Sequence, residues 1–112
     1  MTNYYPDKWV VFKIDHPVPL YKVFGTWAGA FIAADRWKLN SGIVDFEKNL
    51  EQDLYSFFGY SGSVYYCSPD SYGVVSALYG QFEMFLNHPS GLISMMPNNT
   101  DWSKVDWGKH DT

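Results

Sequence analysis

Apolar and polar positions alternate with a strand-like period through the first half of the chain, and the period then lengthens to that of a helix. Residues 9–14, WVVFKI, form a nearly continuous run of β-branched and aromatic side chains closed by Asp15-His16-Pro17. Such a run predicts a central strand. Pro17 and Pro19 offer no N–H to a ladder and mark a turn. Residues 20–27, LYKVFGTW, put Tyr21, Val23 and Trp27 on one face and Lys22, Phe24 and Thr26 on the other. This is a second strand, with Gly25 as a bulge or a point of close approach. Residues 28–34, AGAFIAA, read as a loop.

Residues 35–40, DRWKLN, alternate with Trp37 and Leu39 inward and Arg36 and Lys38 outward. Asn40-Ser41-Gly42 then predicts a hairpin turn with a short return strand over 43–47. The charged stretch 47–53, EKNLEQD, is expected as a solvated connection. Two further strands follow, 54–59 (LYSFFG) and 63–67 (SVYYC). The link between them, Gly59-Tyr60-Ser61-Gly62-Ser63, falls one residue short of the Gly-x-Ser-x-Gly of a nucleophile elbow, because Ser63 stands where the second glycine belongs. It matches a three-residue hairpin loop with Gly62 in the left-handed region.

At Ser68-Pro69-Asp70 a cap, a first-turn proline and an acid follow one another, three signals of a helix N-terminus. Val74, Leu78, Phe82 and Phe85, widened by Val75 and Leu86, make an apolar stripe, with Ser76, Gly80 and Glu83 opposite. The helix is expected to stop near Asn87-His88, before Pro89 and Gly91. Residues 92–96, LISMM, predict an edge strand. The fold class expected is α+β: a curved antiparallel sheet of five or six strands, as a partly open barrel or roll, covered by one C-terminal helix. Residues 1–97 would form a single domain. Residues 98–112 would form a polar tail carrying Trp102 and Trp107, whose odd spacing sends the rings to opposite sides; either one ring is free to anchor a partner or both pack on the domain.

The length of 112 residues suits one domain with a sizeable core. A net charge of −4 lacks the basic excess of a protein that tracks a phosphate backbone, so extended nucleic acid is not expected. Cys67 stands alone, which rules out an internal disulfide and a multi-cysteine zinc site. Tyr4-Tyr5-Pro6-Asp7-Lys8 interrupts any apolar run at the start, and no stretch approaches the length of a membrane span. A cytoplasmic, soluble protein is the expectation.

Candidate chemistry is sparse. His16, His88 and His110 are scattered without ligand spacing, so no metal site is expected. Ser61, Ser63 and Cys67 have no local motif that supplies a base, and Cys67 fits a buried structural thiol. Asp45 and Glu47 lie two apart but border a charged connection. No phosphate-binding glycine loop occurs. No catalytic residue, metal or cofactor is assigned, and an enzyme is not expected. Aromatic residues make up 20% of the chain, and Tyr55, Phe57, Tyr60, Tyr65 and Tyr66 cluster on one hairpin. They read either as core pairs or as a stacking platform for a small ligand.

The runs at 20–27 (LYKVFGTW), 37–43 (WKLNSGI) and 58–65 (FGYSGSVY), with Tyr72-Gly73, resemble small uncharacterised proteins encoded by tailed bacteriophages. The resemblance would cover most of residues 9–86 and implies no activity. It implies an infected bacterial cytoplasm and a host component as partner. The function expected is a non-enzymatic protein-interaction module that modulates a host protein. The alternative is a nucleotide-type ligand-binding or sequestering protein using the aromatic hairpin around Tyr55, Phe57, Tyr60 and Tyr65, together with the loop at Gly29. Trp102 and Trp107 would serve a protein partner, and self-association is left open.

Overall fold

The computed structural model describes residues 2–15, 17–28 and 36–108. Eight strands are present among them: β1 Asn3–Tyr4, β2 Lys8–Ile14, β3 Leu20–Thr26, β4 Trp37–Leu39, β5 Ile43–Asn49, β6 Leu54–Gly59, β7 Val64–Cys67 and β8 Ile93–Met95. They form two four-stranded sheets rather than one curved sheet. The first has the order β1-β7-β6-β5 and is mixed, because β1 lies parallel to β7. The second, β4-β3-β2-β8, is antiparallel throughout, with β2 central and β8 on the edge as the sequence predicts. No barrel closes.

Alternation along β3 explains why two sheets are needed. Tyr21 and Val23 enter a core with Trp9 and Val11 from β2 and with Ile43, Phe57, Tyr65 and Cys67 from the first sheet. Phe24, on the opposite face of β3, enters a second core with Val10, Phe12 and Phe82. Both faces of the β2–β3 pair are therefore buried, one by the first sheet and one by a helix. The order of layers is sheet, sheet, helix. Gly25 is a point of close approach and not a bulge. Its register with Trp9 is continuous, and a Cβ there would sit 3.1 Å from Pro6 Cβ.

The predicted hairpin at Asn40-Ser41-Gly42 is instead a corner between sheets, since β4 pairs with β3 while β5 pairs with β6. Asn40 makes the corner by accepting the Val23 and Gly42 N–H groups on Oδ1, at 2.9 and 3.3 Å. Gly42 has φ +132°, and a side chain there would meet the Tyr60 ring at 2.8 Å. The stretch expected to be solvated connection belongs in part to β5, which runs to Asn49. The β6–β7 hairpin forms as predicted, with Gly62 at φ +88° and the Gly59 N–H bonded to the Ser63 carbonyl at 2.9 Å.

The helix begins later than its sequence signals. Pro69–Ser71 is a single 3-10 turn, and Ser68 caps nothing with its side chain. The helical run starts as a 3-10 turn, Ser76–Leu78, and continues as α1, Tyr79–Leu86. Residues 72–75 are held by the second sheet instead. The Gly73 N–H donates to the Trp9 carbonyl, and the Val75 N–H donates to the buried Thr26 hydroxyl. The Tyr72 hydroxyl accepts from the Val11 N–H and donates to the Met96 carbonyl. These bonds use backbone groups that an extended helix would need internally. No helix among the described residues is long and apolar enough to cross a membrane.

Of the two arrangements open for Trp102 and Trp107, one ring free or both packed on the domain, the second holds: both are buried between the sheets, at 3% and 9% exposure. A 3-10 turn at Trp102–Lys104, opened by Asp101 accepting the Ser103 N–H, turns the first ring inward. The rings stack at 6.4 Å, and both meet Phe57 edge-on.

Two outcomes follow for stability. Phe82→Ala should cost roughly 3–5 kcal/mol, whereas the exposed Glu83→Ala should stay within about 0.5 kcal/mol in urea melts. Burial raises the Tyr72 phenol from 10.0 to about 12, so the folded state resists its ionisation. Its stabilisation is intact below pH 10 and is lost as pH rises through about 12. Tyr72→Phe should melt lower at pH 8 yet lose less stability than wild type between pH 10 and 12.

Candidate functional site

The aromatic hairpin faces inward. Register pairs Phe57 with Tyr65 and Tyr55 with Cys67, so all four side chains point at the inter-sheet core. Phe57 and Tyr65 are buried, and Tyr55 is half-buried against Phe46 at 5.3 Å. Tyr60, in the turn, is the mostly exposed ring of the predicted set, at 65%. Cys67 is fully buried, and burial pushes its thiol well up. The loop at Gly29 lies outside the described residues, as do His16 and His110. His88 is exposed, with Nδ1 beside the Ser90 hydroxyl. Among the described residues no group of three or more His, Cys, Asp or Glu comes together.

A different constellation forms where the outer strand of each sheet, β1 and β4, borders a cleft. One hollow of about 520 Å³ is lined by Lys22 and Lys38, by Ser41, Ser61 and Ser63, and by Tyr4, Trp37 and Tyr65, the Trp37 ring itself packing on Phe24 and Phe85. A second of about 390 Å³ is lined by Tyr5, Trp27 and Arg36. Tyr4 and Lys38 belong to both hollows, and the Lys38 ammonium lies 5.5 Å from the centre of the Tyr4 ring. Volumes of this size fall in the roughly 300–1,000 Å³ range of small-molecule sites.

Each wall is positioned by the fold. Parallel pairing of Tyr4 with Tyr65 sets their rings 4.8 Å apart. The Trp27 indole N–H donates to the Tyr5 carbonyl at 3.0 Å, which ties the end of β3 to the strap after β1. Tyr5 stacks on Tyr66 at 5.0 Å with planes 15° apart. Ser41 Oγ accepts the Ser61 N–H at 3.0 Å, joining the corner to the hairpin turn, and the Ser61 and Ser63 hydroxyls are 3.3 Å apart. Asn40, almost wholly buried, lines the larger hollow, and its Nδ2 has no hydrogen-bond partner. Such an orphaned donor is unusual in a folded protein.

The charges at the cleft run against those of the whole chain. Among the described residues no acid lines either hollow, although the protein carries −4. The ion pairs of the described residues, Lys13–Asp15 and Lys104–Asp101, involve none of Lys22, Arg36 and Lys38. Burial, reinforced by Tyr4, pushes the Tyr65 phenol far up, so it remains a neutral hydroxyl. The cleft thus offers hydrogen-bond donors, positive charge and ring faces. The outward setting of Arg36 and Lys38 is legible in the alternation of β4. Their convergence with Tyr4 and Tyr5 is not, because it depends on how two sheets stack.

Compared with protein-family models, curated proteins and solved structures, the chain matches none. What fold and cleft define is an α+β protein of two stacked sheets and a covering helix, with a cationic, aromatic cleft beside the sheet edges.

Asn40→Ala should destabilise the protein by about 1–3 kcal/mol, because the Val23 and Gly42 N–H groups lose their buried acceptor. Ser61→Ala, at an exposed hydroxyl, should stay within about 0.5 kcal/mol by urea denaturation.

Proposed function

We propose that this protein is a non-enzymatic binding protein that takes a small anionic ligand in the cleft between β1 and β4. The observation that carries this reading is the gathering of Lys22, Arg36 and Lys38 around aromatic rings, with no acid among the described lining residues of an acidic protein. Positive charges gathered beside apolar rings attract an anion, because low-dielectric cleft walls focus their field. Relative to the sequence-based reading, the ligand surface moves from the inward-facing hairpin to the cleft beside its turn. A ligand class of nucleotide type fits both the charge and the rings.

A protein partner is the second reading, and a separate observation favours it. Met84 and Tyr79 on α1 are 68% and 51% exposed, and Met95 on β8 is 38% exposed. Met and aromatic side chains are enriched at interfaces. With Trp102 and Trp107 buried, this helix side replaces the tryptophans as the surface for a partner. The resemblance to phage proteins would make that partner a host component.

The test is thermal melting of the intact chain with inorganic phosphate, sugar phosphates and nucleotides in turn. A ligand of the folded state at about 100 times its Kd stabilises by about 2.7 kcal/mol, which is a rise of several degrees. The cleft reading predicts such a rise with at least one phosphate-bearing compound, and its loss in Lys22→Glu/Lys38→Glu. A rise that survives both substitutions, or none with any compound, contradicts it.

A further inference from the structure

We infer that the cleft is bipartite, with a polar half that holds a phosphate and a ring half that stacks a base, so that its ligand is a nucleoside monophosphate. This rests on the cleft reading above and names its ligand. The larger hollow supplies the donors: Lys22 and the serines Ser41, Ser61 and Ser63. A phosphomonoester carries about −1.5 to −2 charges at pH 7 and three acceptor oxygens. Lys22 and Lys38 match that charge, and the hydroxyls match the oxygens.

The smaller hollow has no serine in its lining but carries Tyr5 and Trp27, with Asn3 and Arg36 beside them. Two contacts hold those rings in place before any ligand arrives. Trp27 is fixed by its indole bond to the Tyr5 carbonyl, and Tyr5 is backed on one face by Tyr66 while remaining 60% exposed. A flat ligand ring laid against them incurs little ordering cost. Tyr4 and Lys38, common to both hollows, occupy the junction where a ribose would lie. Phosphate alone would leave the ring half empty, and a free base would leave the lysines unneutralised.

Calorimetric titration of the full chain with AMP, GMP, CMP, UMP, ribose 5-phosphate and inorganic phosphate separates these cases. Stacking of one base is worth about tenfold to hundredfold in affinity. The expected result is that the best monophosphate binds at least about tenfold more tightly than ribose 5-phosphate. Tyr5→Leu, with an unchanged melting temperature, should remove that gain and leave ribose 5-phosphate affinity as it was. Lys22→Gln should weaken both ligands alike. Equal affinity for the monophosphates and ribose 5-phosphate overturns the bipartite site while leaving the anion cleft standing. A base-dependent gain that persists in both Tyr5→Leu and Trp27→Phe also overturns it. Failure of every phosphate compound to bind overturns the site and the cleft reading together.

Discussion

Trp9 meets Phe57, Tyr72 and Trp102 at ring separations of 5.3, 4.7 and 5.7 Å, and no single sheet can supply that set. Phe57 belongs to the first sheet, Tyr72 to the segment before the helix, and Trp102 to the C-terminal segment. Three parts of the chain thus converge on one indole of the second sheet, whose N–H is satisfied by the Ser68 carbonyl at 2.7 Å. Each large ring buries on the order of 150–250 Å², worth about 4–6 kcal/mol at about 25 cal/mol per Å² before entropy is subtracted. Trp102 and Trp107 together therefore contribute an amount comparable to the net stability of a whole domain, about 5–15 kcal/mol. The C-terminal segment is part of the core and not an appendage.

The cleft is a consequence of the same packing. Trp9, Phe57 and the two C-terminal tryptophans fill the space between the sheets. On the side of β1 and β4, the wall is made by the two-residue β1, the three-residue β4 and the polar corner at Asn40. Short outer strands leave side chains, rather than backbone, to line the gap. A structural arrangement that buries rings on one side exposes lysines and rings on the other.

Much of the local structure was legible in the chain. The central β2, the two-faced β3, the β6–β7 hairpin with its glycine turn and the edge strand β8 each follow from alternation and turn chemistry. The helix was legible in type but not in start, because Tyr72 and Gly73 bond to β2 and to the Met96 carbonyl, which local propensity does not contain. The corner at Asn40 carries the same residues as a hairpin turn, and only the partner of β5 distinguishes them. The burial of both Trp102 and Trp107 was left undecided for a related reason: a polar local sequence hides two rings whose burial depends on distant residues 9 and 57. The cleft was least legible, since Lys22, Lys38 and Tyr5 are ordinary surface residues until the two sheets are stacked.

The account depends most on the claim that the C-terminal tryptophans complete the core. Its most direct test is the unfolding of a chain shortened to residues 1–97, followed by near-ultraviolet circular dichroism and heat. The account predicts loss of the sharp aromatic signal and of a cooperative melting transition. A shortened chain that keeps both, melting within a few degrees of the full protein, would contradict it.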